Sequence, residues 1–310
     1  MYHPYFRGKQ FELLTIRETA KLMAESGFVP IIEPVKEGLS GLDRALKAIC
    51  EAKGNAIVIV NPHHGDLAHD GGGISKMLTN SYLDKGGITA GILLTTGMTV
   101  AEAIDCYTKH KDHNPSFIHG GFTHGKALAE KLGEEKPTQI FFAAHTGKLY
   151  WKHFAGCKRV LIKDGFKRRR NADYEEHEKF SDLHLTYMDD GMDGFGDFLI
   201  VGDDYSESGG PAYAVAIHLT YIDPDSEDEM YVYHFVSDSN ATPTDPAGKF
   251  AEALDKLIAK LDAGDSNLFE GDAVTDFRDL HEKGHFPGLG SIKKLSMKHH
   301  IETLADYLGK

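Results

Sequence analysis

Cysteine is scarce in this chain and badly placed for cross-linking. Cys50, Cys106 and Cys157 lie far apart and make no CxxC pair. Their odd number and wide spacing argue against a disulfide framework, and a reducing, cytoplasmic setting is the expectation. No apolar run approaches the roughly 20 residues that a membrane-spanning helix needs, so no membrane partner is expected. The opening Met1–Arg7 has no basic stretch followed by an apolar core, so no secretory signal is expected either. Basic charge is also in deficit: 34 Lys and Arg face 47 Asp and Glu, a net charge of -13. Binding to duplex nucleic acid, which relies on cations neutralising phosphates, is not expected of such a chain. Several motifs are missing altogether. The absence of GxxxxGK[ST] excludes a P-loop NTPase, and neither HExxH nor GxSxG occurs. No glycine fingerprint of the dinucleotide-binding type follows the first strand, and no solenoid repeat is present.

What the sequence does have is a rhythm. Its 310 residues are 41% hydrophobic and 26% charged, ordinary globular usage, and short apolar runs alternate with amphipathic helical stretches. Strands are expected near residues 2–7, 28–35, 56–60, 88–94, 116–119, 139–144, 159–163 and 213–219. The run Ala56-Ile57-Val58-Ile59-Val60 is continuous and β-branched, as a strand covered on both faces should be. Helical stripes lie between them: Leu13, Ile16, Ala20 and Met23 in the first, Leu42, Leu46 and Ile49 in the second. Thr99-Val100-Ala101-Glu102 has the spacing of a capping box. Eight strands, each followed by a helical segment, predict an α/β protein built as a (β/α)8 TIM-like barrel in a single domain over 1–310. An open doubly wound sheet is the competing architecture. A long insertion at 165–211 is expected between strands seven and eight. After it come an extra strand at 230–236, forming a hairpin with strand eight, and a closing helix at 291–308.

In a barrel the residues at the strand C-termini converge on one face. They nominate Arg7, Lys9, Lys36, Asn61 and Lys163 as ligand-binding residues, with Glu33, His145, Asp164 and His218 as candidate acid–base groups. A mostly basic ring of this kind suits a small anionic ligand, a phosphate or carboxylate. The loop Asn61–Asp70 crowds His63, His64, Asp66, His69 and Asp70. Together with His119 it raises an alternative in which His63, His64 and His119 hold a metal, although no zinc signature is matched. The glycine-rich stretch Gly202–Pro211 could offer backbone amides to an anion, or simply connect. The run Lys167-Arg168-Arg169-Arg170 could meet an acidic partner protein or be a solvated loop.

Two family resemblances follow from particular residues. The opening Tyr2-His3-Pro4-Tyr5-Phe6-Arg7-Gly8-Lys9-Gln10-Phe11-Glu12, then Val29-Pro30-Ile31-Ile32-Glu33-Pro34, resembles the start of the phage-type beta-protein family. Phe195-Gly196-Asp197-Phe198 and Ala216-Ile217-His218-Leu219-Thr220-Tyr221 resemble its later part. The resemblance implies a barrel-like core, a bacterial or phage setting with a role in anti-phage defence, and added weight for Arg7, Lys9, Glu12, Glu33, Asp197 and His218. Arg7-Gly8 also resembles the first-strand step of glycerophosphodiester phosphodiesterases. Those enzymes need a histidine before that arginine and a Glu-x-Asp pair on strand two, whereas here Phe6 precedes Arg7 and Pro34-Val35 follow Glu33.

The expectation is therefore a barrel that binds or acts on a small, phosphorylated anion at the C-terminal face of its strands, with no cofactor assigned. A non-catalytic partner protein working through the 165–211 insertion, and a metal-dependent phosphodiesterase-like hydrolase, are the alternatives.

Overall fold

A computed structural model describes residues 1–68, 70–83, 85–207 and 210–309. The chain divides into two compact units: residues 1–164 with 183–198, and residues 165–182 with 199–310.

The first unit is the barrel. Seven strands follow in chain order: β1 (Tyr5–Phe6), β2 (Ile31–Ile32), β3 (Ala56–Ile59), β4 (Ile88–Thr95), β5 (Ser116–Gly120), β6 (Gln139–Phe142) and β7 (Arg159–Ile162). Between them lie α1 (Gln10–Glu25), α2 (Ser40–Glu51), α3 (Gly72–Ser81), α4 (Val100–Lys109), α5 (Gly125–Leu132) and the short α6 (Lys148–Trp151). The chain then passes through β8 (His177–Ser181) and α7 (Leu183–Thr186) before β9 (Gly194–Gly196) completes the parallel sheet, in the order β1 to β7 and then β9. The ring shuts where Phe195 meets the N-terminus. Tyr2 bridges Phe195 in parallel, the His3 amide donates to Phe195 O at 2.7 Å, and the Tyr5 amide donates to Asp197 O at 2.9 Å.

Alternation along these strands sorts the side chains. Tyr5, Ile31, Ile59, Leu93, Ile118 and Ile140 belong to one buried cluster, the barrel interior, which Phe142, Val160, Ile162 and Phe198 complete. Their neighbours Phe6, Ile32, Val58, Phe117, Phe141 and Leu161 are buried too. Both faces are therefore covered, which explains why the strands read as unbroken apolar runs. The capping box on α4 forms as its spacing predicts: the Glu102 amide donates to Thr99 Oγ1 at 3.3 Å, and the Thr99 amide donates to Glu102 Oε2 at 2.7 Å.

The eighth barrel strand corrects the sequence reading, which set it at 213–219. It is Gly194–Gly196, inside the segment taken for an insertion. Two of its three residues are glycine because of what they face. A Cβ on Gly196 would sit 2.0 Å from His3 O and 2.5 Å from Ile162 Cδ1, and one on Gly194 would sit 2.8 Å from Met1 O. The close approach that closes the ring thus removes the apolar side chains by which a strand is recognised.

The segment read as strand eight belongs to the second unit. There β10 (Ala216–Asp223) pairs antiparallel with β11 (Glu229–Val236), and β11 pairs antiparallel with β8. The expected hairpin forms in register from Ala216↔Val236 to Asp223↔Glu229. Helices α8 (Pro246–Ala263), α9 (Asp272–Glu282) and α10 (Leu289–Leu308) complete the unit. Ile217, Leu219 and Phe235 from the sheet share a core with Leu254, Phe277 and Ile292 from the helices.

Candidate functional site

Glu33 is the centre of the site. It lies two residues beyond Ile31, so strand alternation turns it to the inner side of the barrel, where it is 0% exposed. A bare carboxylate so placed would be costly, and five hydrogen bonds converge on it. Oε2 accepts from Tyr5 Oη at 2.9 Å and from Arg7 Nη1 at 2.7 Å. Oε1 accepts from the backbone amides of His63 at 2.8 Å and His64 at 3.1 Å, and from His64 Nδ1 at 3.0 Å. Burial alone would raise its pKa. The hydrogen bond from His64, the Arg7 charge and the His63 amide outweigh burial and lower it to about 2. The carboxylate is therefore ionised throughout the physiological range.

Neighbouring strand ends supply each partner. Tyr5 and Arg7 share the inward parity of β1, and Arg7 lies 5.2 Å from the Tyr5 ring centroid and 5.4 Å from that of Phe198. At 5% exposure, with its charge opposed by Glu33, Arg7 locks the carboxylate in place and is not positioned as an open anion anchor. β3 lies beside β2, and its C-terminal loop brings the His63 and His64 amides onto Oε1. Gly8 makes the tight join between the first two loops: its φ is +61°, and a Cβ there would lie 2.9 Å from Glu33 O. Of these groups the sequence proposes Arg7 and Glu33, and names His63 and His64 in the metal alternative. It does not single out Tyr5, whose parity with Arg7 is the available signal.

The Glu33–His64 contact fixes the chemistry of the imidazole. With Nδ1–H donating to the carboxylate, the neutral ring carries its lone pair on Nε2. The His64 side chain is 27% exposed while Glu33 is fully buried. A partly accessible imidazole backed by a buried carboxylate is the arrangement of a general base, the carboxylate holding the tautomer and stabilising the imidazolium once a proton is taken.

The other proposed residues divide. His63, His145, Lys163 and Asp164 are exposed at or just beyond the ends of β3, β6 and β7. Lys9 is half-buried, and exposed Lys36 reaches Asp66 at 3.5 Å. Asn61 is committed to the scaffold: its Nδ2 donates to Leu93 O and its Oδ1 accepts from the Leu93 amide, both at 2.9 Å. These bonds continue the β3–β4 ladder. His119 does not face the basin, because Ile118 takes the interior and parity sends His119 outward. Its Nε2 donates to Gln139 Oε1 at 2.8 Å, and its Nδ1 accepts from Tyr150 Oη at 2.7 Å. Burial lowers its pKa to about 4, so it is a neutral packing residue. His63, His64 and His119 are therefore not assembled as a metal site. Among the described residues no group of three or more His, Cys, Asp or Glu side chains could hold an ion. His69, Ser208 and Gly209 lie outside the described residues.

His218 is corrected along with its strand. It belongs to the second unit, where His218 Nδ1 meets His234 Nδ1 at 2.7 Å beside Phe166 and Tyr174. The basic run of that unit is paired internally. Lys167 and Arg169 both reach Glu178, at 3.1 and 2.9 Å, Arg170 reaches Asp173 at 2.7 Å, and Arg168 donates to Asp204 O at 3.0 Å. Lys167, Arg169 and Arg170 thus have carboxylate partners within this unit, whereas the bond from Arg168 is to a backbone carbonyl.

Compared with known proteins, the chain matches no family model, no curated protein and no solved structure.

Proposed function

We propose that the barrel unit binds a small anionic molecule at the C-terminal face of its strands and moves a proton on it through His64 Nε2. The observation that carries this reading is the buried, ionised Glu33 with five donors upon it, one of them the His64 ring. Replacing a buried ion pair whole by apolar residues is often neutral for stability, so stability alone does not account for the Arg7–Glu33 pair. The carboxylate does fix an imidazole in one tautomer beside solvent. Arg7 and Tyr5 act as positioning residues, and exposed Lys163 and His145 offer charge and hydrogen bonds to the ligand. Membership of the phage-type beta-protein family joins this proposal, since the resemblance rests on the same Arg7 and Glu33.

The test uses the full chain and two measurements. The nitrogen shifts of the His64 ring should report the Nδ1–H tautomer at neutral pH. Thermal stability is then measured with phosphate, pyrophosphate, ribose 5-phosphate, AMP and citrate. A probe present at about 100 times its dissociation constant should add roughly 2.7 kcal/mol, and Lys163→Gln should weaken the effect. An Nε2–H tautomer would remove the general base, and no stabilisation by any probe would remove the anionic ligand.

A further inference from the structure

The barrel unit carries a second concavity apart from the Glu33–His64 pair. A cavity of about 340 Å³ opens between the first halves of α1 and α2 and the loops that follow β1 and β2. That volume lies within the range of small-ligand sites. Its walls are of two kinds. Leu13, Leu14, Val35, Leu39 and Leu42 give it an apolar lining, and Arg17, Lys36 and Arg44 give it three cations, with no acidic residue among the lining side chains. On a chain of net charge -13 this local excess of positive charge runs against the whole.

The cations are little engaged. Arg17 and Arg44 are exposed. Arg44 donates from Nε to Ser40 O at 3.2 Å, and among the described residues neither arginine has a carboxylate partner. Lys36 meets Asp66 only at 3.5 Å, with both side chains more than 40% exposed, a contact worth little. Val35 and Leu42 are almost fully buried, while Leu14 and Leu39 are half-buried, so the apolar wall leads from the core out to the rim. Gly41 permits the approach of the two helices, since a Cβ there would lie 3.1 Å from Leu13 Cδ1.

We propose that this cavity is a binding site for an amphipathic organic anion, a phosphate or carboxylate head on an apolar chain. The chain lies against Leu13, Leu14 and Leu39, and the head is held by Arg17 and Arg44, with Lys36 completing the charge. Charge complementarity selects the head, because a guanidinium pair offers forked donors to either group. The apolar wall selects the chain, because water over it is released on binding. This site does not depend on the Glu33–His64 reading.

Octyl phosphate is the probe, titrated calorimetrically into the full chain, with butyl and hexyl phosphate, octanol and inorganic phosphate as comparisons. Affinity should rise about two- to fourfold for each methylene buried, and octanol and inorganic phosphate should each bind far more weakly than octyl phosphate. Arg17→Gln with Arg44→Gln should weaken octyl phosphate about tenfold or more, and Leu14→Gln should flatten the chain-length series. All these substitutions are at exposed or half-buried positions, and near-ultraviolet circular dichroism verifies the fold. His64→Gln should leave the affinity unchanged, so a failed Glu33–His64 proposal and a failed cavity proposal give different results. The proposal is overturned if the arginine pair can be removed without effect, if octanol binds as well as octyl phosphate, or if His64→Gln abolishes binding.

Discussion

Replacing Glu33 with glutamine changes one atom type and tests the whole account of the site. The folded carboxyl has its pKa lowered from 4.5 to about 2. Each unit is worth about 1.4 kcal/mol, so the ionised form contributes about 3 kcal/mol at neutral pH. Glutamine also turns an N–H group toward donors that need an acceptor, and it removes the carboxylate charge that faces Arg7, 5% exposed. Removing one partner of a buried ion pair costs about 3–5 kcal/mol, so Glu33→Gln should destabilise the barrel by that amount at pH 7. Because the folded carboxyl ionises below the unfolded one, its stabilisation is complete above about pH 4.5 and disappears as pH falls through about 2. The gap between wild type and variant should therefore shrink by roughly half near pH 3. The assay is urea denaturation followed by tryptophan fluorescence. The single tryptophan, Trp151, is 7% exposed on α6, so its signal reports the barrel unit even if the second unit unfolds separately. A cost below about 1 kcal/mol, or a gap that stays the same from pH 7 to pH 3, would refute the claim that a buried, ionised Glu33 organises the site.

Three further outcomes are expected. Burial, reinforced for His3 by Lys158, lowers the pKa of His3 to about 3 and of His119 to about 4. The stability these residues contribute is fully present above about pH 6.5 and declines as pH falls from there toward those values, with a slope approaching about 1.4 kcal/mol per pH unit for each. A urea midpoint, read from Trp151, that stays flat between pH 6.5 and 4 would contradict this. Gly196→Ala places a Cβ 2.0 Å from His3 O and should destabilise the barrel by about 3 kcal/mol or more, whereas Gly38→Ala, with nothing within 4 Å, should stay within about 0.5 kcal/mol. Equal effects at the two positions would remove the steric account of β9. Asn61→Leu loses both bonds to Leu93 and leaves a backbone amide and carbonyl unsatisfied, at about 1–3 kcal/mol each. Faster amide hydrogen exchange at Leu93 should accompany the loss, and unchanged exchange would argue against it.

The barrel was legible because periodicity survives wherever side chains pack on both faces. The runs through Ile57, Ile92 and Ile140 announce strands, and the stripe through Leu42, Leu46 and Ile49 announces α2. Where the structure needs the absence of a side chain, as at Gly194 and Gly196, periodicity has nothing to report. The next apolar run, Tyr213–Leu219, carries the strand signal instead, but its Ala216–Leu219 part belongs to a strand of a different sheet, and His218 with it. The site was half visible for a related reason. Position at a strand end nominates Glu33 and Arg7, but also His119, because one residue of parity separates a basin residue from a packing residue and a five-residue strand does not declare its parity. The bond from His64 to Glu33 depends on β3 lying beside β2, a fact of ring closure that no local pattern carries.

Ring closure also has a consequence in time. Tyr2 donates to Asp197 across 195 positions of sequence at 2.7 Å. At 5–20 residues per second, on the order of 10–40 s of synthesis separate the two partners. Through that interval β1 has β2 on one side and no neighbour on the other, an unpaired edge open to other chains. The first strand made is thus among the last to be completed, and crowded synthesis should select against any change that slows delivery of the two glycines that finish it.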